Sequence, residues 1–199
     1  MKIGICATHL ENYQLPHNLD YIGVDHGVEE LLKQHITPIF TIGDFDSLHD
    51  RASLQNLQLK ILPTRKDVTD THAAIDYAID MGYDEIELYG VTGGRLDHFM
   101  AVMCLLRKYR DVKIRIIDRQ NEISLLKPGH HQIDSGGYQY ISFFASDESL
   151  LTIKGAKYPL HQYRLKNDDP LCVSNEISED YITVDNDGDI FLMKTSDMN

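Results

Sequence analysis

Short apolar runs alternate with polar or amphipathic segments through the first 120 residues of the chain. We predict buried β-strands at six of these runs: residues 2–7, 21–25, 38–42, 59–62, 86–90 and 113–118. Helices are predicted between them, at residues 28–32, 70–81 and 95–109. Because strands and helices alternate, the pattern predicts a mostly parallel sheet flanked by helices.

The pattern changes after residue 120, where no long helical stripe remains. Short extended runs replace it, at residues 122–126, 138–144, 150–153, 171–173, 181–184 and 190–193. Turn-forming residues separate these runs, which is typical of an all-β fold. We therefore predict two domains: an α/β domain over residues 1–121 and a smaller all-β domain over residues 122–199.

Acidic side chains gather where the predicted strands of the first domain end and its helices begin. They are Asp25, Asp44, Asp46, Asp67, Asp70 and Asp97. Ligands of open α/β sheets bind at the carboxyl ends of the strands, and carboxylates meeting there would repel one another unless a cation lay between them. Each cluster alone also fits a polar turn or a helix cap. Their coincidence at successive elements favours a site for Mg²⁺ and a nucleotide.

Residues 93–98, Gly-Gly-Arg-Leu-Asp-His, combine two kinds of ligand group. The glycines let the backbone approach a ligand closely, and the following helix would present N–H groups to an anion. Arg95 offers a fork of donors for phosphate, and Asp97 offers a carboxylate for a metal ion. A glycine turn with a helix cap explains the segment about equally well. No Gly-Lys-Ser/Thr phosphate loop occurs in the chain.

Composition narrows the class of partner. The net charge of −12 argues against a role on nucleic acids or anionic membranes. The sequence predicts neither a signal peptide nor a membrane-spanning segment. Cys6, Cys104 and Cys172 lie far apart in apolar runs and are predicted to be buried, reduced thiols of a cytoplasmic protein. The histidines form no His-x-x-x-His pair, so no zinc site is predicted.

In the all-β region, three residues suit a flat or cationic ligand. Tyr158 offers a ring for stacking, while Ser174 and Asn175 offer hydrogen bonds. A β-turn and a core tyrosine explain them more simply when they are taken alone.

Five motifs resemble those of the thiamine pyrophosphokinase family and occur in the family's order. They are Gly-Asp-Phe-Asp-Ser at residues 43–47, Lys-Asp-Val-Thr-Asp at 66–70, Gly-Gly-Arg-Leu-Asp-His at 93–98, Gly-Ala-Lys-Tyr-Pro-Leu at 155–160 and Ser-Asn-Glu at 174–176. The resemblance covers essentially the whole chain. It implies an α/β domain that binds ATP and Mg²⁺, a β-sandwich that helps bind thiamine, and a homodimer with active sites between its subunits. The implied reaction transfers a pyrophosphoryl group from ATP to the thiamine hydroxyl.

The resemblance also implies roles for individual residues. Metal ions would be held by Asp44, Asp46, Asp67, Asp70 and Asp97, of which Asp70 and Asp97 are also the catalytic candidates. ATP and its phosphates would contact Asp25, Ser47, Lys66, Arg95 and His98. Thiamine would contact Tyr158, Ser174 and Asn175. The chain departs from the family pattern at His26, where many relatives have glycine, at Val102, where many have asparagine, and at residues 8–10, which lack the usual glycines.

Two other functions remain open at this point. An Mg²⁺-dependent phosphohydrolase also carries Asp-x-Asp after a strand, and it would release phosphate without an acceptor. A non-catalytic sensor of nucleotide or thiamine would bind its ligand and form no product.

Overall fold

The structure, a computed structural model, describes residues 1–8, 10–43, 59–61 and 68–198. Contacts between residues divide the chain into two units, Met1–Arg119 and Gln120–Asn199. Five predicted site residues lie outside the described residues: Asp44, Asp46, Ser47, Lys66 and Asp67.

The first unit is built on a parallel sheet. Its strands are β1 (Lys2–Cys6), β2 (Asp20–Val24), β3 (Phe40–Gly43), β4 (Leu59–Ile61), β5 (Glu85–Tyr89) and β6 (Lys113–Ile117). They lie in the order β4-β3-β2-β1-β5-β6, and every described pairing among them is parallel. The chain therefore builds outward from β1 to β4 and then crosses back to place β5 on the other side of β1. All six strands were predicted from their apolar runs, and these predictions are confirmed.

Three helices connect the strands of the first unit: α1 (Gly27–Lys33), α2 (Asp70–Asp80) and α3 (Leu96–Lys108). Helix α2 begins at a threonine cap, because Thr69 Oγ1 accepts a hydrogen bond of 3.2 Å from the His72 N–H. The predicted apolar stripe of α2 packs inward, with Ala74, Ile75 and Ala78 buried. Within the described ranges, no helix is long and apolar enough to cross a membrane.

Helix α1 approaches strand β1 so closely that only glycine fits at its first residue. A Cβ atom on Gly27 would lie 2.0 Å from the Cys6 carbonyl oxygen. We expect Gly27→Ala to lower the free energy of unfolding by about 2 kcal/mol, since backbone must move to relieve the clash. Urea unfolding checks this, with Gly129→Ala as the control because its nearest neighbouring atom is 3.5 Å away. Equal stability of the two variants would contradict the packing argument.

The second unit consists of antiparallel strands only. They are β7 (Asn121–Leu126), β8 (Gly129–Ile133), β9 (Tyr140–Ala145), β10 (Glu148–Lys154), β11 (Leu160–Lys166), β12 (Ile182–Asn186) and β13 (Ile190–Thr195). Within this unit, β7-β13-β9 form one layer and β11-β10-β12-β8 form a four-stranded sheet. Buried side chains of both layers, including Phe143, Leu151 and Val184, belong to one core cluster. The predicted fold class, a mostly parallel α/β unit followed by a smaller all-β unit, is confirmed.

Two strands of the second unit were not predicted, and one predicted strand is absent. Strands β8 and β11 each bury a single side chain, Ile133 and Leu165. Both are outer strands of the four-stranded sheet, so their sequences carry little apolar alternation. The prediction of a strand at residues 171–173 is wrong, because the segment is irregular. Cys172 is its one buried residue, and the Cys172 carbonyl accepts a hydrogen bond of 2.8 Å from the Phe143 N–H.

The three cysteines do not share one environment. Cys6 and Cys172 are buried, and burial raises the pKa of their thiols to about 12 and about 11. The prediction that all three are buried is wrong for Cys104, which lies exposed on α3. Apolar residues cover more than the inward face of this helix, and Met100 is likewise exposed. Periodicity therefore does not tell which of them points to the core.

Candidate functional site

A cavity of about 560 Å³ lies in the first unit where the order of the strands reverses. Strands β2 to β4 extend to one side of β1, and β5 and β6 extend to the other. Ala7 and Thr8, which follow β1, and residues 90–92, which follow β5, line the cavity together. Open α/β sheets bind ligands at such a reversal, outside the carboxyl ends of the strands. The strand order thus makes this cavity the candidate site.

Two helix N-termini open onto the same cavity. Thr69 and Thr71 line it from the start of α2, and Arg95, Asp97 and His98 line it from the start of α3. Helix N-termini carry partial positive charge and present backbone N–H groups. Among the described residues, the side chain of Arg95 makes no capping hydrogen bond to α3. The arrangement therefore suits an anion with several charges, such as a polyphosphate.

Arg95 and Asp97 pair with each other in the cavity wall. Arg95 Nε lies 3.0 Å from Asp97 Oδ1, and Arg95 Nη2 lies 2.5 Å from Asp97 Oδ2. The guanidinium, helped by the His98 N–H that donates to Asp97 Oδ1 at 3.0 Å, lowers the pKa of Asp97 to about 2. Both side chains are mostly exposed, at 72% and 63%. An exposed ion pair contributes little net stability, so a ligand can readily draw the two groups to separate partners.

The loop that carries Arg95 needs glycine at two positions, Gly90 and Gly93. Gly90 has φ of +66° and lies against Thr8, so that a Cβ atom there would be 2.7 Å from the Thr8 carbonyl oxygen. Gly93 has φ of +76°, and a Cβ atom there would be 2.4 Å from Glu11 Oε1. Positive φ and close packing thus account for both glycines.

Gly94 is different, because no described atom lies within 4 Å of the place that its Cβ would take. Its backbone lines the cavity instead. We expect Gly94→Ala to change the free energy of unfolding by less than about 0.5 kcal/mol. The added methyl group would occupy ligand space, so we expect the KM for the ligand of this cavity to rise about fivefold. Gly93→Ala is the comparison, since it should lower stability. A Gly94→Ala variant with unchanged KM would mean that no ligand approaches this backbone.

Asp25 lies at the end of β2 with φ of +47°. Its Oδ1 atom is 2.2 Å from the position that a Cβ on Gly43 would occupy, which explains the glycine at the start of the motif at residues 43–47. Asp25 does not line the cavity, whereas the next residue, His26, does. The structure therefore places Asp25 against Gly43 and outside the cavity lining.

Asp70 and Asp97 are the described members of the predicted metal cluster. Asp97 lines the cavity, and Asp70 opens α2 between Thr69 and Thr71, which line it. Within the part of the chain that the structure describes, no three His, Cys, Asp or Glu side chains are grouped as metal ligands. The other predicted ligands, Asp44, Asp46 and Asp67, lie outside that part.

In the second unit, the structure brings Tyr158 and Asn175 together. Asn175 is 7% exposed, and its side chain accepts from the Tyr158 N–H at 3.0 Å and donates to the Tyr158 carbonyl at 2.8 Å. Its Oδ1 also accepts from the Glu176 N–H at 3.0 Å. Tyr158 itself is 59% exposed, which rules out the simpler explanation of a core tyrosine. Asn175 thus holds the segment that displays the Tyr158 ring.

Two neighbours complete the surroundings of this ring. The ammonium group of Lys157 lies 5.7 Å from the centroid of the Tyr158 ring, and it also pairs with Glu176 at 2.7 Å. Ser174 is exposed, has φ of +56°, and donates its N–H to Ser142 Oγ at 2.9 Å. The motifs at residues 155–160 and 174–176 therefore form one continuous surface.

Several residues of the cavity were not predicted as site residues. They include Thr71, Val91 and Thr92, together with one residue from each of the three departures from the family pattern, Thr8, His26 and Val102. The available signal was their position, since each follows a strand or lies in the first two turns of a helix. Threonine and valine carry no distinctive ligand chemistry, so residue type alone did not mark them.

Comparison with known proteins matches both units of the chain. The family profile described as "Thiamin pyrophosphokinase, catalytic domain" matches residues 14–117, and "Thiamin pyrophosphokinase, vitamin B1 binding domain" matches residues 130–191. A relative from Bacillus subtilis, "Thiamine pyrophosphokinase", is 39% identical over 177 residues, which are 84% of this chain and 82% of the relative.

Solved structures agree over the full length. The crystal structure of thiamine pyrophosphokinase from Bacillus subtilis superposes with a TM-score of 0.88 at 33% identity, covering 100% of both chains. The crystal structure of thiamin pyrophosphokinase from Geobacillus thermodenitrificans gives a TM-score of 0.86 at 34% identity, covering 100% of this chain and 99% of that one.

Proposed function

Because the chain belongs to the thiamine pyrophosphokinase family, we propose that it transfers the pyrophosphoryl group of Mg-ATP to the hydroxyl of thiamine, giving thiamine diphosphate and AMP. The main observation that supports this proposal is the cavity at the reversal of strand order, which is lined by two helix N-termini and by Arg95. Such a site is built for a polyphosphate. The family matches on both units identify thiamine as the acceptor substrate.

We infer that ATP lies in this cavity with its phosphates against the first turns of α2 and α3. Arg95 releases Asp97 and donates hydrogen bonds from Nε and Nη2 to phosphate oxygens instead. His98 lines the same wall. Ser47 and Lys66, which lie outside the described residues, complete the proposed nucleotide contacts. Asp25, also expected to contact ATP, does not line the cavity and is left out of this proposal.

The proposed ligands fit Mg²⁺ by their chemistry. Asp70 and Asp97, with Asp44, Asp46 and Asp67, offer only carboxylate oxygens, which hard cations prefer. A pKa of about 2 keeps Asp97 ionised at neutral pH, as a metal ligand must be. When bound, Mg²⁺ would offset the negative charge of the phosphates.

The transfer itself needs positioning and one proton acceptor. The thiamine oxygen attacks the β-phosphorus, the bond from that phosphorus to the oxygen bridging to the α-phosphate breaks, and AMP leaves with that oxygen. Asp70 and Asp97 are the candidates to accept the hydroxyl proton.

Thiamine is proposed to bind at Tyr158, Ser174 and Asn175. Thiamine carries a positive charge and aromatic rings, so an exposed tyrosine face suits it. Asn175 acts here by holding Tyr158, and Ser174 offers its hydroxyl. We further propose a cytoplasmic homodimer with active sites between the subunits; the family resemblance supports this part of the proposal.

A product assay tests the function. The protein is mixed with ATP, Mg²⁺ and thiamine, and AMP is resolved from ADP. We expect thiamine-dependent AMP in equal amount with thiamine diphosphate. ADP with thiamine monophosphate would place the attack at the γ-phosphorus and contradict the mechanism. Phosphate released without thiamine would indicate a hydrolase, and binding without product would indicate a sensor.

A further inference from the structure

We propose that Thr92 and Asp118 form a positioning pair that holds the loop at residues 90–95 in the shape that binds the nucleotide. Thr92 Oγ1 donates a hydrogen bond of 2.6 Å to Asp118 Oδ2. Neither residue belongs to the motifs that identify the family, and Asp118 does not line the cavity. The inference rests on the proposed function, whose nucleotide site contains this loop.

The pair joins the ends of two neighbouring strands. Strands β5 and β6 are paired in parallel, with Tyr89 opposite Ile117. Asp118 directly follows β6, while Thr92 lies three residues beyond the end of β5. The bond therefore draws the loop after β5 sideways toward β6 and is anchored on a residue next to a buried strand end.

A second bond ties the other side of the same loop. Thr8 Oγ1, which follows β1, donates to the Gly90 carbonyl at 2.5 Å. The loop is thus held from β1 at its first residue and from β6 at its third. Directly beyond the second point it contains Gly93 and Gly94, and glycine has the greatest backbone freedom of any residue type.

This placement explains why the bond matters for binding. A loop with adjacent glycines samples many conformations unless other contacts hold it. The conformational entropy lost on ordering such a loop would then weaken nucleotide binding. The acceptor is a carboxylate, and hydrogen bonds to charged groups are the stronger kind. Arg95 is only three residues from Thr92, so the bond also limits where the guanidinium can reach.

The test uses variants that differ by one hydroxyl group. Thr92→Val keeps the branched shape and removes the donor, whereas Thr92→Ser keeps the donor. We expect Thr92→Val to weaken binding of a non-hydrolysable Mg-ATP analogue about fivefold, measured by calorimetry on the full chain. Thr92→Ser should bind within about twofold of the wild type. Thr183→Val, a half-buried threonine on β12, is the control and should leave the affinity unchanged.

Steady-state kinetics separate positioning from general destabilisation. Thr92→Val should raise the KM for ATP while the KM for thiamine stays the same. In a double-mutant cycle, Asp118→Ala should weaken binding less in the Thr92→Val background than in the wild type, because the bond between the two residues is then already absent. Additive effects, or a Thr92→Val variant that binds the analogue like the wild type, would overturn the inference.

Failure of the proposed function has a different signature. A wild type that binds the analogue but forms no AMP would refute the transfer reaction, while the binding comparison would still decide the role of Thr92. A wild type that binds no analogue would refute both proposals.

Discussion

Replacing Asp97 by asparagine is expected to lower turnover at least about tenfold, because a charge contact at the reacting centre is lost. The fold should persist, since the carboxylate lies in the cavity wall and is 63% exposed. Thiamine-dependent AMP formation measures the activity, and thermal unfolding measures the fold.

Asp80→Asn provides the matched control for this change. Asp80 is an exposed acid at the last residue of α2, away from the cavity lining. It should leave turnover unaltered. If Asp97→Asn keeps wild-type turnover, Asp97 does not belong to the site.

The pairing of Arg95 with Asp97 sets the pH range in which Asp97 gains its proton. Arg95 lowers the pKa of Asp97 to about 2, so in the unliganded protein this carboxylate stays ionised as the pH falls through its ordinary value of 3.8 and gains its proton only near pH 2. Any stability that the pair adds is therefore present above pH 3.8 and lost toward pH 2. A change in activity between pH 5 and 9 accordingly belongs to other groups.

The second large effect is expected at Asn175. Asn175→Ala removes both hydrogen bonds to the Tyr158 backbone and the one that the Glu176 N–H donates. Asn175 is only 7% exposed, so water cannot readily replace these bonds. We expect the free energy of unfolding to fall by about 3 kcal/mol, because buried polar groups lose their partners. The KM for thiamine should rise, since Tyr158 is no longer held, while the KM for ATP should stay constant.

Asn186→Ala separates these two consequences. Asn186 is also buried in the second unit, at 6% exposure, and donates to the carbonyls of Lys127 and Gly188. It should lose comparable stability without a change in the KM for thiamine. If Asn175→Ala behaves in the same way as Asn186→Ala, the surface around Tyr158 is not the thiamine site.

Local sequence predicted those parts of the fold that depend on burial of consecutive residues. Strand β5 buries four of its five residues because parallel strands are covered on both faces, and its boundaries were predicted to within a residue. Three of the four buried residues, Ile86, Leu88 and Tyr89, are apolar or aromatic. The exception within it is informative. Glu87 is buried and pairs with Arg115 on β6, while the Tyr89 hydroxyl donates to it at 2.6 Å. Nothing in its own strand marks where such a carboxylate finds its partner.

Strands β8 and β11 are elements that the sequence failed to predict. A strand at the outside of a sheet buries few side chains, so its sequence lacks the alternation from which strands are recognised. The same limit applies to Cys104, whose apolar neighbours did not reveal that it points outward.

For the site, the sequence by itself determined which residues have ligand chemistry and, through the ordered motifs, the family. The tertiary structure decided which of them meet. Strand β1 pairs with β5, about 80 residues further along the chain, and only that pairing brings Thr8 and the loop carrying Arg95 to one cavity. The hydrogen bonds between Asn175 and the Tyr158 backbone, 17 residues apart in the chain, likewise depend on the tertiary structure. The hydrophobic pattern of a segment indicates whether its side chains are buried. Which residues lie next to them depends on the order of the strands in the sheet.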